Sequence, residues 1–109
     1  MSALAEKMRA QREHWVSVGD RRYLVRVPTR LEAALAGNPV EAALRAVVGW
    51  EGVRQCDLLP GEPDAPAAFD AEAFREFVAD DLGAIKSLMD AVTDLTAQRV
   101  ARIGDAEKN

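Results

Sequence analysis

The spacing of apolar residues changes period as the chain is followed from its start. Residues 3–13 are good helix formers without glycine or proline, but only Leu4 and Met8 form a stripe. Residues 1–13 therefore read as either a short helix or a mobile arm. In "HWVSVGDRRYLVRV" the pattern becomes alternating. Valines 16 and 18 share one face with Tyr23, Val25 and Val27, while Trp15, Ser17, Arg22, Leu24 and Arg26 share the other. With Gly19-Asp20 between the two runs, this is a hairpin; Gly19 suits a two-residue turn, and closing the loop with two residues or with four leaves these faces unchanged. Pro28 ends it. Thr29 then caps a short helix over "RLEAALAG" that stops at Gly37, and Asn38-Pro39 starts another. There Val40, Ala43, Leu44, Val47 and Val48 follow helical spacing, and Gly49 is the expected exit.

From Arg54 to Ala68 the pattern breaks down. This stretch holds Pro60, Pro63 and Pro66 with Gly61 and reads as a long irregular loop. Asp70 is an N-cap, and Phe69 and Phe74 have the spacing of a hydrophobic staple. Phe74, Phe77 and Val78 form the stripe of one helix, which Asp80-Asp81 ends before capping the next. Leu82, Ile85, Leu88, Met89, Val92, Leu95 and Val100 then repeat every three or four residues as far as Ile103. This is one long amphipathic helix, expected to stop near Gly104, with "DAEKN" as a loose tail. The fold class that results is α+β, mainly α: an N-terminal β-hairpin followed by a small helical bundle, with residues 14–109 as a single domain.

Composition changes this picture little. The 109 residues are 49% hydrophobic and 29% charged, as in an ordinary soluble domain. The formal charge of −4 argues against a nucleic-acid partner, which needs a clustered positive surface. Arg21, Arg22 and Arg26 do cluster at the hairpin, where they read as a solvated rim. A single cysteine rules out an internal disulfide. No apolar run reaches the roughly 20 residues of a membrane helix, and the N-terminus lacks the apolar segment of a signal peptide. The expectation is a cytoplasmic protein without a membrane partner.

Candidate chemistry is sparse. His14 is the sole histidine, so no multi-histidine metal site is possible, and Cys56 cannot build a zinc cluster alone. A Cys56–His14 nucleophilic pair is formally available, but no oxyanion motif flanks either residue. Asp80, Asp81, Asp90 and Asp94 match no calcium loop, and Lys86 four residues before Asp90 suggests a solvated ion-pair face. No glycine-rich phosphate loop is present. No enzyme, metal or cofactor is expected. What remains is apolar surface. It reads either as one core or, in part, as a protein-binding face, with Leu88, Val92 and Leu95 as the candidate contacts.

The stretch "VVGWEGV" puts a tryptophan between two glycines. Gly49 and Gly52 permit a positive φ or close backbone approach. Trp50 can then fold back as a pin at a helix–loop corner while Val53 re-enters the core. An exposed anchor for a partner is the other reading. The order of features from residue 14 to 109 resembles the tail assembly chaperones of long-tailed bacteriophages. The resemblance rests on the strand pair, on Val47, Gly49, Trp50, Gly52 and Val53, on the "FDAEAFREFVAD" that opens a helical half, and on a terminal Lys108-Asn109. The helix-like N-terminal segment and the Pro60–Pro66 loop depart from the pattern. The resemblance implies a non-catalytic protein of a phage or prophage, acting in the bacterial cytoplasm. It implies binding to the tape measure protein, assistance to tail tube subunits, and a longer form made by frameshifting. Homo-oligomerisation is also expected. A small regulatory adaptor or antitoxin-like protein using the basic hairpin is the alternative.

Overall fold

The computed structural model describes residues 2–108, with side chains as far as Gly104. Asn109, half of the terminal Lys-Asn pair, lies outside the described residues. Element order is α1 (Ala3–Ala10), β1 (Glu13–Val18), β2 (Arg21–Arg26), α2 (Arg30–Ala36), α3 (Pro39–Ala46), β3 (Val47–Glu51), α4 (Gln55–Leu58), α5 (Ala71–Val78) and α6 (Leu82–Lys108). The fold is α+β and mainly helical, with an N-terminal hairpin.

The hairpin follows the alternation. Trp15 pairs with Leu24 and Val16 with Tyr23 across a two-residue turn. Gly19 there has the positive φ, 61°, that the first position of a II′ turn requires. The helix starts are also those the capping residues mark. Thr29 and Glu32 form a reciprocal capping box, with Thr29 Oγ1 accepting from Glu32 N at 3.1 Å and Glu32 Oε1 accepting from Thr29 N at 2.9 Å. Asn38, Asp70 and Asp81 accept from Glu41, Ala73 and Ala84 at 2.9–3.0 Å. The Phe69 and Phe74 rings lie 6.3 Å apart, as a staple places them.

Three expectations are corrected. The helix that starts at Pro39 ends at Ala46, and residues 47–51 form a third strand rather than a helix end and a turn. β3 pairs antiparallel with β2, and the sheet order is β1-β2-β3. Tyr23 opposes Trp50, Leu24 opposes Gly49 and Val25 opposes Val47, which leaves Val48 as the extra residue of a bulge. In a regular strand Val47 and Trp50, three apart, would face opposite ways. The bulge turns both inward. Ala43, Ala46, Val47 and Trp50 are all buried, so this row has helical spacing although its second half is extended. The second correction is that α6 passes through Gly104 to Lys108. A glycine within a helix costs only about 1 kcal/mol, and no proline comes after it.

The third correction concerns the proline-rich loop, which is ordered around α4. Arg54 and Pro66 form a bridge, Gln55 N donates to Ala65 O at 2.8 Å, and Ala67 N donates to Val53 O at 3.0 Å. The inner face of the sheet, with Tyr23, Val25, Val47 and Trp50, packs with Ala43 and Ala46 of α3, Phe74 and Val78 of α5, and Leu88 and Val92 of α6. Arg75 of α5 donates to both carboxylate oxygens of Glu41 on α3, at 2.7 and 3.1 Å, and ties these helices together at the rim.

Candidate functional site

The Gly-Trp-x-Gly-Val stretch is a structural corner. Trp50 is 8% exposed, and its indole Nε1 donates to Ala67 O at 2.8 Å. Its ring meets Phe69 edge-on at 5.2 Å and Phe77 at 6.4 Å. A buried indole needs such a partner for its N–H. The ordered loop supplies it, so Trp50 pins residues 54–70 to the sheet. Gly52 has φ 82°, and a Cβ there would sit 3.0 Å from the Asp20 carbonyl oxygen. Gly49 has a different reason to be glycine: a Cβ there would press on Leu24 Cβ at 3.3 Å. Val53 is buried in the core.

Of the contacts expected on α6, Leu88 and Val92 are not available to a partner. Leu88 and Val92 are buried, and Leu95 is half-buried against the same core. The middle of the stripe is spent within the chain, where α6 packs chiefly on α3 and on β1 of the hairpin, whereas Leu82 at its start is exposed. Farther along, Val100 is exposed and α6 has left the core.

The residues weighed for catalysis are not assembled into a site. His14 sits on β1 beside α1 and α6, whereas Cys56 sits on α4 with its Sγ 4.0 Å from Asp64 Oδ1. Asp81 is occupied as a helix cap and Asp90 pairs with Lys86 at 2.9 Å. Among the described residues no group of three or more His, Cys, Asp or Glu could hold a metal ion. The hairpin arginines are neutralised locally: Arg21 by Asp57 at 3.6 Å, Arg22 by Glu51, and Arg26 by Glu13 at 3.6 Å. Arg22 also stacks on the Trp15 ring, 4.7 Å from its centroid. No described helix is long and apolar enough to cross a membrane.

Part of the exposed apolar surface lies on the outer side of the sheet and on α2. Trp15, Leu24 and Gly49 form one cross-strand row, and Trp15 is 45% exposed. Bulged Val48 lines a cleft of about 180 Å³ together with Pro28 and Leu35, and Arg26, Glu32 and Arg45 line it as well. Leu31 and Leu35, four apart on α2, are 68% and 69% exposed. They carry the apolar surface from the cleft onto the helix. α2 buries only Ala36, so it is held by its capping box and the left-handed Gly37 (φ 86°) rather than by an apolar face. The hairpin alternation already shows the outer sheet row. The α2 part has a weaker signal in the sequence, two leucines at four-residue spacing with no third large apolar residue to mark a buried stripe. Comparison with protein-family models, curated proteins and solved structures finds no match to this chain.

Proposed function

We propose that this protein is a non-catalytic binding protein that covers an apolar helix of a partner, and specifically a phage tail assembly chaperone for the tape measure protein. The observation that carries the reading is the set of half-buried and exposed apolar side chains Trp15, Leu24, Val48, Leu35 and Leu31, with a cleft at Val48 and Leu35 that Arg26, Glu32 and Arg45 also line. An antiparallel sheet with one free face ordinarily shows polar residues there. Apolar side chains beside a cleft with a charged rim suit an amphipathic helix, with anchors at three- and four-residue spacing. A long apolar helical protein needs such cover until the tail tube encloses it. The chain would act in the bacterial cytoplasm and could also assist tube subunits.

The regulator reading loses its motive, because the hairpin arginines that suggested it are paired with carboxylates. The test is co-expression with the longest helical protein encoded nearby. Complex formation should keep that partner soluble, and Leu31→Lys with Leu35→Lys should abolish it while thermal unfolding of the chain itself stays unchanged. A partner equally soluble with and without this chain, and no co-purification, would end the proposal. A slippery heptamer before the stop codon would support the longer form.

A further inference from the structure

A second surface has the opposite character. Between α1, β1 and residues 99–103 of α6 lies a second cleft, about 640 Å³. Its walls carry Arg9 from α1, Arg12 from the α1–β1 link, and Arg99 and Arg102 from α6, and among the described side chains no aspartate or glutamate lines it. This is unexpected in a chain of net charge −4. The arginines of the sheet, of α3 and of α5 each meet a carboxylate, from Arg21–Asp57 at 3.6 Å to Arg75–Glu41 at 2.7 Å. Among the described side chains, Arg9, Arg30, Arg99 and Arg102 meet none, and three of these four converge on this cleft. Arg12 anchors the wall, donating to Val27 O at 2.7 Å and to Glu32 at 2.8 Å. The floor is apolar, with Met8, Val27 and Ile103, and Met8 is 62% exposed.

We infer that this cleft binds an acidic amphipathic segment of a protein partner, with carboxylates meeting Arg9, Arg99 and Arg102 and an apolar side chain resting on Met8 and Ile103. Guanidinium groups pair carboxylates through parallel N–H donors, and an apolar floor rewards a segment that carries both kinds of residue. A nucleic acid suits the cleft less well. The rest of the chain repels a long polyanion, and three free arginines are few against the roughly 6–10 phosphates neutralised by a typical DNA-binding protein. The inference does not rest on the chaperone reading: this cleft shares no residue with the outer strip.

The probe is a fluorescent helix-forming peptide of about 15 residues built from Leu, Ala and Glu, followed by anisotropy against the full chain. Its counterparts are the same peptide with Lys for Glu and a single-stranded oligonucleotide of similar length. The acidic peptide should bind and the Lys peptide should not. Binding should fall as salt rises past 0.1 M, where the screening length is about 10 Å. Arg99→Gln with Arg102→Gln should weaken it at least about tenfold, and Arg30→Gln, outside the cleft, should not. Met8→Asp, on exposed α1, is a second variant that leaves the core untouched and should also weaken binding. The inference is overturned by absence of binding to the unaltered chain, by equal loss from Arg30→Gln, or by indifference to Met8→Asp. Tighter binding of the oligonucleotide through the same arginines would overturn it as well.

Discussion

Trp50 and Trp15 belong to one sheet, on its two edge strands and on opposite faces. Trp50 is enclosed, with its N–H bonded to a loop carbonyl and two phenylalanine rings against it. Trp15 is half open to solvent and covered only by an arginine. Strand pattern alone treats them alike, as large apolar residues in extended chain. The difference lies in where the remainder of the chain packs. The inner face receives three helices and the pinned loop, whereas α2 packs chiefly against α3 and leaves Leu31 and Leu35 exposed. An apolar residue is structural where the chain returns to cover it, and is available to a partner where the chain does not.

The largest effect expected from breaking this contrast is on the inner face. Trp50→Ala should destabilise the fold by about 3–5 kcal/mol, measured as a shift of the denaturant midpoint. It should also free residues 54–70 to faster amide exchange, because the Ala67 anchor is lost. Gly52→Ala should cost less, about 1–3 kcal/mol. A side chain there must accept φ 82° and approach the Asp20 carbonyl, so the hairpin turn or the corner has to shift.

A smaller effect, confined to acid, is expected at the rim of the inner side. Hydrogen bonds from Arg75 first, and then from Arg45, hold the Glu41 carboxyl at about 2, against an ordinary value of 4.5. A carboxylate lowered in the folded state stabilises it fully above the unfolded value and loses that contribution as pH falls towards the folded one. Unfolding midpoints between pH 4.5 and 2 should therefore fall less steeply for Glu41→Gln than for the unaltered chain. The smallest effect belongs to the outer face. Leu35→Ser should change stability by no more than about 0.5 kcal/mol, and Trp15→Ser by less than about 1 kcal/mol, although both should weaken partner binding. A large loss of stability from either would show that the outer face is closed too.

Local chemistry is legible in the sequence wherever one residue decides it. The caps at Thr29, Asn38, Asp70 and Asp81, the turn at Gly19 and the staple of Phe69 on Phe74 depend on hydrogen bonds and sterics within a few positions. β3 is not legible, because its bulge converts a two-residue period into a three-residue step that continues the helical row Ala43–Ala46. Leu88, Val92 and Leu95 do form one apolar stripe. Whether a stripe is core or interface depends on distant chain, however, and the cover for this one comes chiefly from α3 and from β1. Trp50 is a pin, as "GWEG" suggests, but it acts from a strand and through a loop carbonyl that no periodicity reveals.

The bulge at Val48 also bears on how the chain behaves among copies of itself. β3 is an edge strand, and an edge offers unpaired backbone groups to any extended neighbour. A regular edge is a template for open-ended strand addition. An edge with one extra residue is bent and out of step, so a second strand cannot stay in register along it. The residue that turns Trp50 inward thereby also guards this edge of the sheet against strand addition.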